Sequence, residues 1–247
     1  MNLIIDEGNT RIKLAVFDKG QLVDIEYTKI ESYRESVKRI ITGYKIEAVI
    51  LSSVTDEIIS VFNEIEIKNK IILSYKTPLP FKISYETPNT LGVDRIALVA
   101  AAWKKNPNEN SLIIDAGTCI TYDFIDATGN YLGGAIAPGL GMRFKGMHCF
   151  TKKLPDLKVP EGTIGLIGKT TKQCMESGAL NGMVFEIEGS IRAYQQKFKK
   201  VNIILTGGDA NFLCKQLKNS IFVNSNFLLE GLNEVLTYQF KDEAKLK

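Results

Sequence analysis

Two stretches of the chain share one pattern of apolar and polar positions. Each begins with three apolar residues of strand type, residues 3–5 in the first copy and 112–114 in the second, and each continues with an aspartate, Asp6 or Asp115. A glycine-containing turn and a second strand-like run follow in both copies, so the pattern predicts two β-hairpins. The copies lie about half the chain apart, whereas small repeat units recur every few tens of residues. The repeat therefore predicts two related domains that face each other.

The remaining periodicity predicts an α/β fold, because strand-like and helix-like segments alternate. A polar, proline-containing linker at residues 104–110 separates the expected domains, residues 1–110 and 111–247. The predicted strands, besides the two hairpins, are residues 21–28, 48–52 and 201–205. The predicted helices are residues 32–41, 57–64, 93–103, 140–150, 172–198 and 227–238, with one more that runs from the turn at residues 206–210 to Leu217.

Composition excludes several classes of function. The 247 residues are 45% hydrophobic and 24% charged with a net charge of +3, and no basic run is interleaved with aromatics, so a nucleic-acid partner is not expected. No apolar run reaches the roughly 20 residues that span a bilayer, and the N-terminus lacks the features of a signal peptide, so we expect a cytoplasmic protein. Four dispersed cysteines and a single histidine, His148, argue against a zinc site or a Cys/His nucleophile.

The two hairpin turns are candidate phosphate sites. A turn with glycine lets backbone N–H groups approach an anion, and the hydroxyls of Thr10 and Thr118 add donors. A carboxylate beside phosphates would repel them unless a cation lies between, so Asp6 and Asp115 imply metal ions. The alternative is that Asp-x-Gly only forms the turn, since both residues are common in hairpins.

Three glycine-bearing segments have both a functional and a structural interpretation. Residues 133–141 are rich in glycine, which permits contact with a ligand or with the facing domain, or a mobile loop. The turn at residues 206–210 is either an anion cradle or an ordinary strand-to-helix connection. Gly178 and Gly182 lie on one face of a predicted helix and indicate a close helix contact, either between subunits or within the chain.

Asp94 and Arg95 follow Gly92 at the start of a predicted helix, after a proline-rich approach. An aspartate in a first helical turn is often only a favourable charge near the helix dipole. The adjacent arginine and the irregular approach instead favour a loop that binds a substrate.

These motifs resemble the signature of the type III pantothenate kinases, within the superfamily of actin, heat-shock chaperones and sugar kinases. The segments that carry the resemblance are Asp6-x-Gly8-Asn9-Thr10-x-x-Lys13, Gly92-Val93-Asp94-Arg95 and Asp115-Ala116-Gly117-Thr118-x-x-Thr121. The resemblance implies two duplicated ribonuclease H-like domains of the actin-like ATPase type, with a nucleotide cleft between them. It also implies ATP-dependent phosphorylation of pantothenate to 4'-phosphopantothenate, the first step of coenzyme A biosynthesis.

The resemblance also assigns roles to individual residues. Asp94 matches the catalytic base, Asp6 would orient magnesium directly or through water, and Asp115 would bind a monovalent cation, potassium or ammonium. The residues expected to bind ATP are Asp6, Glu7, Gly8, Asn9, Thr10, Arg11, Ile12, Lys13 and Thr118. The residues expected to bind pantothenate are Tyr85, Gly92, Val93, Asp94, Arg95 and Thr171, with Thr170 as the alternative to Thr171. A homodimer is implied as well, with Thr171 next to the subunit contact.

Two other functions remain open at this point. The chain could be a kinase or phosphatase of the same superfamily that acts on another substrate. It could also be a regulatory binding protein that kept the loops and lost the chemistry, although the presence of Asp6, Asp94, Arg95 and Asp115 argues against this.

Overall fold

The computed structural model describes residues 1–8, 11–53, 55–160, 162, 164–218 and 221–241. Its secondary structure alternates as the sequence predicts. In chain order, the first part contains β1 (Asn2–Glu7), β2 (Ile12–Asp18), β3 (Gln21–Thr28), α1 (Ile30–Gly43), β4 (Ala48–Ser52), α2 (Asp56–Asn63), β5 (Asn69–Ile72), β6 (Lys82–Ile83), a 3-10 turn (Pro88–Thr90) and α3 (Val93–Lys105). The second part contains β7 (Asn110–Ala116), β8 (Cys119–Ile125), β9 (Asn130–Pro138), α4 (Leu140–Cys149), α5 (Thr171–Lys197), β10 (Val201–Thr206), α6 (Ala210–Leu213) and β11 (Phe222–Val223), and the chain continues in α7 (Phe227–Phe240).

The predicted repeat is confirmed by the strand order of the two sheets. The first sheet has the order β3-β2-β1-β4-β5, in which β1, β2 and β3 are antiparallel neighbours and β4 and β5 run parallel to β1. In the second sheet the strands β9-β8-β7-β10-β11 have the same order and the same directions. Each sheet therefore has an antiparallel hairpin extended by a parallel strand beside the hairpin's first strand.

Each unit has its own apolar core. In the first unit, alternate residues of β1 and β2 pack with α1 and α2, and this cluster includes Leu3, Ile5, Tyr33 and Phe62. In the second unit, the sheet packs against α4 and α5 through residues such as Tyr122, Phe144 and Met183. In both units the hairpin's first strand is buried along nearly its whole length, so the aspartate near its end is held by the core.

The last helix departs from the domain division expected from the sequence, which placed it in the second domain, residues 111–247. The structure divides the chain into Met1–Lys105 with Phe227–Lys247, and Asn106–Asn226. The helix α7 packs closely on α3, because a Cβ at Gly231 would lie 1.9 Å from the carbonyl oxygen of Ala97. Periodicity along α7 shows an apolar face but not which core that face covers.

Two other expectations are corrected. A mobile loop was one of the interpretations of the glycine-rich stretch at residues 133–141, but most of this stretch belongs to β9, which pairs antiparallel with β8. A Cβ at Gly134 would lie 1.7 Å from the carbonyl oxygen of Tyr122, so glycine permits the close pairing there. The helix expected to run to Leu217 is short and ends at Leu213. No helix in the described part of the chain has the length and apolar character needed to cross a bilayer.

Candidate functional site

The first hairpin holds Asp6 in a buried position next to a lysine. Asp6 is 3% exposed, and β-sheet register places it directly opposite Lys13 on β2. The Nζ of Lys13 lies 3.3 Å from Oδ2 of Asp6 and donates a hydrogen bond to it. The sequence predicted both residues as parts of one phosphate motif, and the structure brings them into contact.

The positive charge near Asp6 does not fully compensate the burial of its carboxylate. Burial raises the pKa of Asp6 above its ordinary value of 3.8, the charge and hydrogen bond of Lys13 lower it, and the negative charge of Asp94 raises it. A side-chain hydrogen bond with Ser52, at the end of β4, also lowers the pKa. Because the pKa remains raised after these contributions, the carboxylate is under-compensated, which is the setting that a bound cation would relieve.

The first turn of α3 supplies the other acidic group of this cluster. Asp94 is exposed there, and a Cβ at Gly92 would lie 2.3 Å from Oδ1 of Asp94, so the carboxylate folds back over the glycine. Arg95, which follows, is only 5% exposed, and its guanidinium carbon lies 5.7 Å from the ring centroid of Tyr85. The predicted substrate residues Tyr85, Gly92, Asp94 and Arg95 are thus neighbours, with Val93 half-buried between them.

The rest of the first phosphate motif is described in part. The N–H of Gly8 donates to the carbonyl oxygen of Arg11 at 3.1 Å, which closes the turn, and the guanidinium of Arg11 lies over the ring of Tyr27. Ile12 is 3% exposed and belongs to the apolar core, so its side chain faces away from solvent. Asn9 and Thr10, which the sequence predicted to bind ATP, lie outside the described residues.

Glu7 has polar partners that the sequence analysis did not single out. Its carboxylate accepts hydrogen bonds from the hydroxyls of Ser53 and Thr55, in the segment between β4 and α2. With Ser52 bonded to Asp6, this segment contacts both acidic residues of the first hairpin. Three hydroxyl residues at and just after the end of a buried parallel strand, Ser52, Ser53 and Thr55, were the signal in the sequence, since loops at the carboxyl ends of such strands commonly bind ligands.

The second hairpin carries Asp115 at the corresponding place, but its surroundings differ. Register places Asp115 opposite Thr121, so there is no lysine like Lys13 across the hairpin. Gly207 has a φ of 96°, and a Cβ there would lie 2.3 Å from both Oδ1 of Asp115 and the carbonyl oxygen of Ala116. The N–H of Asp209 donates to that same carbonyl at 3.0 Å, and burial raises the pKa of Asp209.

The residue at the start of α4, Gly139, packs against the turn of the second hairpin. The N–H of Gly117 donates to the carbonyl of Cys119 at 2.9 Å, and Thr118 is exposed at the tip. A Cβ at Gly139 would lie 2.2 Å from the carbonyl oxygen of Gly117 and 2.4 Å from that of Thr118. Glycines at residues 139 and 207 therefore let two further segments reach the hairpin. The sequence predicted close approach to a ligand or to the facing domain, or a mobile loop, for the first segment, and an anion cradle or an ordinary strand-to-helix connection for the second.

The two candidate threonines at the start of α5 have different environments. Thr170 is the N-cap of the helix, and its hydroxyl accepts a hydrogen bond from the N–H of Gln173 at 3.2 Å. Thr171 is the first helical residue and is exposed. An N-cap hydroxyl is occupied in fixing the helix, which favours Thr171 for contact with a ligand.

The described part of each unit contains no preformed cage for a metal ion. Within the described residues, no group of three or more His, Cys, Asp and Glu side chains is arranged to hold one. Magnesium in phosphoryl-transfer sites is commonly held by one or two carboxylates together with substrate phosphates, so Asp6 fits that ion without a cage. Potassium accepts carboxylate and backbone carbonyl oxygens, and Asp115 with the carbonyl of Ala116 supplies both kinds.

A cavity of about 820 Å³ in the first unit lies away from these groups. It is lined by the start of β1, the end of α3 and one side of α7, including Asn2, Lys104 and Glu234. Asn2 is at the opposite end of β1 from Asp6, so this cavity is separate from the acidic cluster.

Comparison with known proteins decides the family. A family model described as type III pantothenate kinase matches residues 2–193. A protein named type III pantothenate kinase from Flavobacterium psychrophilum is 46% identical, over 97% of this chain and 100% of its own. One from Christiangramia forsetii is 48% identical, over 96% of this chain and 98% of its own. The chain belongs to the type III pantothenate kinase family.

Solved structures confirm the fold class of this type III pantothenate kinase. A Baf family protein from Campylobacter jejuni has a TM-score of 0.64 at 22% identity and covers 98% of this chain and 99% of its own. A glucokinase from an Antarctic psychrotroph has a TM-score of 0.55 at 11% identity and covers 96% of this chain and 98% of its own. These likenesses concern the fold alone, which is the duplicated ribonuclease H-like fold of the actin-like ATPases.

The raised pKa of Asp6 gives a prediction about stability. The folded kinase binds a proton at Asp6 more tightly than the unfolded chain does, so protonation of Asp6 stabilises the folded state. This stabilisation is complete below pH 3.8 and is lost as the pH rises through the raised pKa. The substitution Asp6→Asn keeps the shape and removes the charge. It should increase the free energy of unfolding at neutral pH, and the gain should shrink as the pH falls towards about 4.

Urea unfolding followed by circular dichroism at both pH values measures this difference. Lys13 is 27% exposed and can reach solvent when its partner is neutral, so its loss should not reverse the sign. Asp156→Asn, at an exposed loop position, is the matched control and should change little at either pH. A destabilised Asp6→Asn variant at neutral pH would show that the pair with Lys13 outweighs the cost of burial.

Proposed function

We propose that this type III pantothenate kinase transfers the γ-phosphoryl group of ATP to the primary hydroxyl of pantothenate, which gives 4'-phosphopantothenate, the entry into coenzyme A biosynthesis. Family membership over nearly the full chain supports this activity. The observation that carries the mechanism is the cluster of Asp6, Lys13 and Asp94 at the end of the first hairpin. Phosphoryl transfer needs mainly positioning and charge balance, which suits a site that contains no cysteine or histidine.

Asp94 serves as the general base in this proposal. Its carboxylate is exposed at the first turn of α3, so an alcohol can approach it, and its negative charge acts on Asp6 in the phosphate motif. It would accept the hydroxyl proton as the oxygen attacks the γ-phosphate. Residues 92–95 and Tyr85 hold pantothenate, and Thr171 adds a contact from the start of α5.

Two cations complete the charge balance. Magnesium bound at Asp6 would neutralise charge that develops on the phosphates, while Lys13 and the turn that begins at Gly8 hold phosphate oxygens. Asp115 binds potassium or ammonium together with backbone carbonyl oxygen, and Thr118 holds phosphate. The support is the under-compensated charge of Asp6 and the oxygen-rich surroundings of Asp115.

The base assignment predicts a separation of chemistry from binding. Asp94→Asn should reduce kcat by about a hundredfold or more, because general-base catalysis typically contributes that much. The Kd for ATP should stay near the wild-type value, because the amide keeps the size of the side chain and the phosphate motif is unchanged. Coupled detection of ADP and isothermal titration of ATP measure the two quantities. Asp18→Asn, at the other end of the hairpin, is the control, and near-native turnover of Asp94→Asn would exclude Asp94 as the base.

The monovalent cation predicts a dependence on salt identity. ADP formation that requires pantothenate should be about fivefold or more faster in potassium than in sodium at equal ionic strength. Asp115→Asn should lower the rate in potassium and remove the difference between the salts. Equal rates of the wild-type protein in both salts would remove the cation role of Asp115. ADP formation without any need for pantothenate would instead contradict the proposed substrate.

The proposal includes a homodimer formed through α5. Gly178 and Gly182 lie on that helix, and a Cβ at either would meet nothing within 4 Å in the single chain, which argues against the alternative of packing within the chain. Phe185 on the same helix is 56% exposed, and Leu166 and Ile167 nearby in the sequence are 68% and 81% exposed. An apolar surface with small residues is suited to the same surface of a second copy. The cytoplasmic location expected from the sequence stays a prediction.

Light scattering should therefore return about twice the monomer mass of 27.5 kDa. Phe185→Glu should shift the protein towards the monomer, because it places a charge on the apolar surface. Val23→Glu makes the same change at a half-exposed position of β3, in the first unit, and should leave the mass unchanged. A monomeric wild-type protein at micromolar concentration would refute the dimer.

A further inference from the structure

The neighbours Asp6 and Glu7 lie on opposite faces of the first sheet. Successive side chains of a strand alternate between faces, so Glu7 shares its face with Leu3 and Ile5. That face packs against α1 and α2. Asp6 is on the other face and senses the charge of Asp94 on α3. The carboxylate of Glu7 therefore faces a different part of the first unit from the acidic cluster that binds phosphate in the proposed function.

The contacts of Glu7 join the end of β1 to the segment between β4 and α2. The hydroxyl of Thr55 donates to Oε1 and Oε2 of Glu7 at 2.9 and 2.8 Å. The hydroxyl of Ser53 donates to the same carboxylate and accepts a hydrogen bond from the N–H of Thr55 at 3.1 Å. Thr55 is the N-cap residue of α2, yet its side chain makes no cap hydrogen bond. Its hydroxyl is thus committed to Glu7 although an N-cap threonine usually stabilises its own helix.

Tyr33 belongs to the apolar core on the face of the sheet that Glu7 shares. It is 1% exposed on α1, and its hydroxyl has no hydrogen-bond partner among the residues described. Burial and the negative charge of Glu7 raise the pKa of Tyr33, so the phenol stays neutral. The neutral phenol adds no charge to the surroundings of Glu7, whose carboxylate takes its hydrogen bonds from Ser53 and Thr55.

We propose that Glu7 is a positioning residue that fixes the turn beginning at Gly8 by anchoring the end of β1 to Ser53 and Thr55. The inference rests on the proposed function in one respect, namely that this turn holds the phosphates of ATP. Gly8 directly follows Glu7, so a displacement of the strand end moves Gly8, whose N–H donates to the carbonyl oxygen of Arg11 and closes the turn. Groups that bind phosphate must be held within a fraction of an ångström, and a carboxylate that accepts hydrogen bonds from two hydroxyls fixes the strand end beside them.

The test removes one hydroxyl and measures ATP binding alone. Thr55→Val keeps the branched shape and, because the hydroxyl does not cap α2, removes the bonds to Glu7 together with a 3.5 Å contact to the hydroxyl of Ser53. We expect the Kd for ATP, measured by titration calorimetry without pantothenate, to rise about tenfold, because hydrogen bonds to charged groups are strong. The KM for ATP should rise in parallel, while the KM for pantothenate stays within about twofold. Thr55→Ser, which restores the hydroxyl, should restore the Kd.

Two controls separate positioning from general damage. Thr42→Val removes an exposed hydroxyl that donates to a carbonyl within α1, and it should leave the Kd unchanged. In a Glu7→Ala background, Thr55→Val should have no further effect, because its partner is already absent. An unchanged Kd in Thr55→Val, or an equal loss in the Glu7→Ala background, would overturn the inference. A wild-type protein that binds ATP but leaves pantothenate unphosphorylated would contradict only the proposed function.

Discussion

The buried carboxylate of Asp6 is the constraint on which the first unit depends. Taking a charge out of water costs free energy unless partners repay it, and here Lys13 repays only part because Asp94 acts in the opposite direction. The strands β1 and β2 are almost fully buried, so they hold the carboxylate of Asp6 inside the core, where a charge is unfavourable. The site thus keeps a negative charge that a cation can compensate, and in the proposed function this links the packing of the core to the binding of magnesium with ATP.

The two hairpins share one arrangement of strands but differ in the groups that surround their aspartates. Strand order and direction are the same in both sheets, yet Asp6 faces a lysine across its hairpin whereas Asp115 faces a threonine. No lysine lies opposite Asp115 in the second hairpin. The backbone turn at Gly207 lies against Asp115 and the carbonyl of Ala116 instead. A carboxylate with an ammonium partner and one with carbonyl neighbours present different fields. The proposed function assigns magnesium with phosphates to the first and a monovalent cation to the second.

The sequence predicted the parts of the fold whose determinants are local. Hairpins, helix positions and the repeat follow from periodicity and turn residues, and the structure confirms them closely, as at Gln21–Thr28 and Val93–Lys105. The errors concern tertiary choices. Glycine density at β9 carries no information on whether a partner strand pairs with it, and an apolar helix such as α7 fits either core by pattern alone. The candidate site followed the same division: motif residues were recognised, but Ser52, Ser53 and Thr55, at and after the end of β4, lie far away in the sequence, where their hydroxyls indicate a ligand site but not which residues they contact.

Strand alternation explains why two adjacent acids in one motif need not share a role. A carboxylate at Asp6 is directed towards the face that carries α3, and one residue later the same chemical group is directed towards α1 and α2. The motif Asp6-Glu7-Gly8 predicted ATP binding by all three residues, and we infer for the middle one the task of fixing the strand end. Ser52 lies in register with Asp6 on the neighbouring parallel strand, and Ser53, just past the end of that strand, donates to Glu7, so each acid has a hydroxyl partner. The end of β4 and the residue after it therefore contact the end of β1 on both faces of the sheet, whereas a single carboxylate would be contacted on one face only.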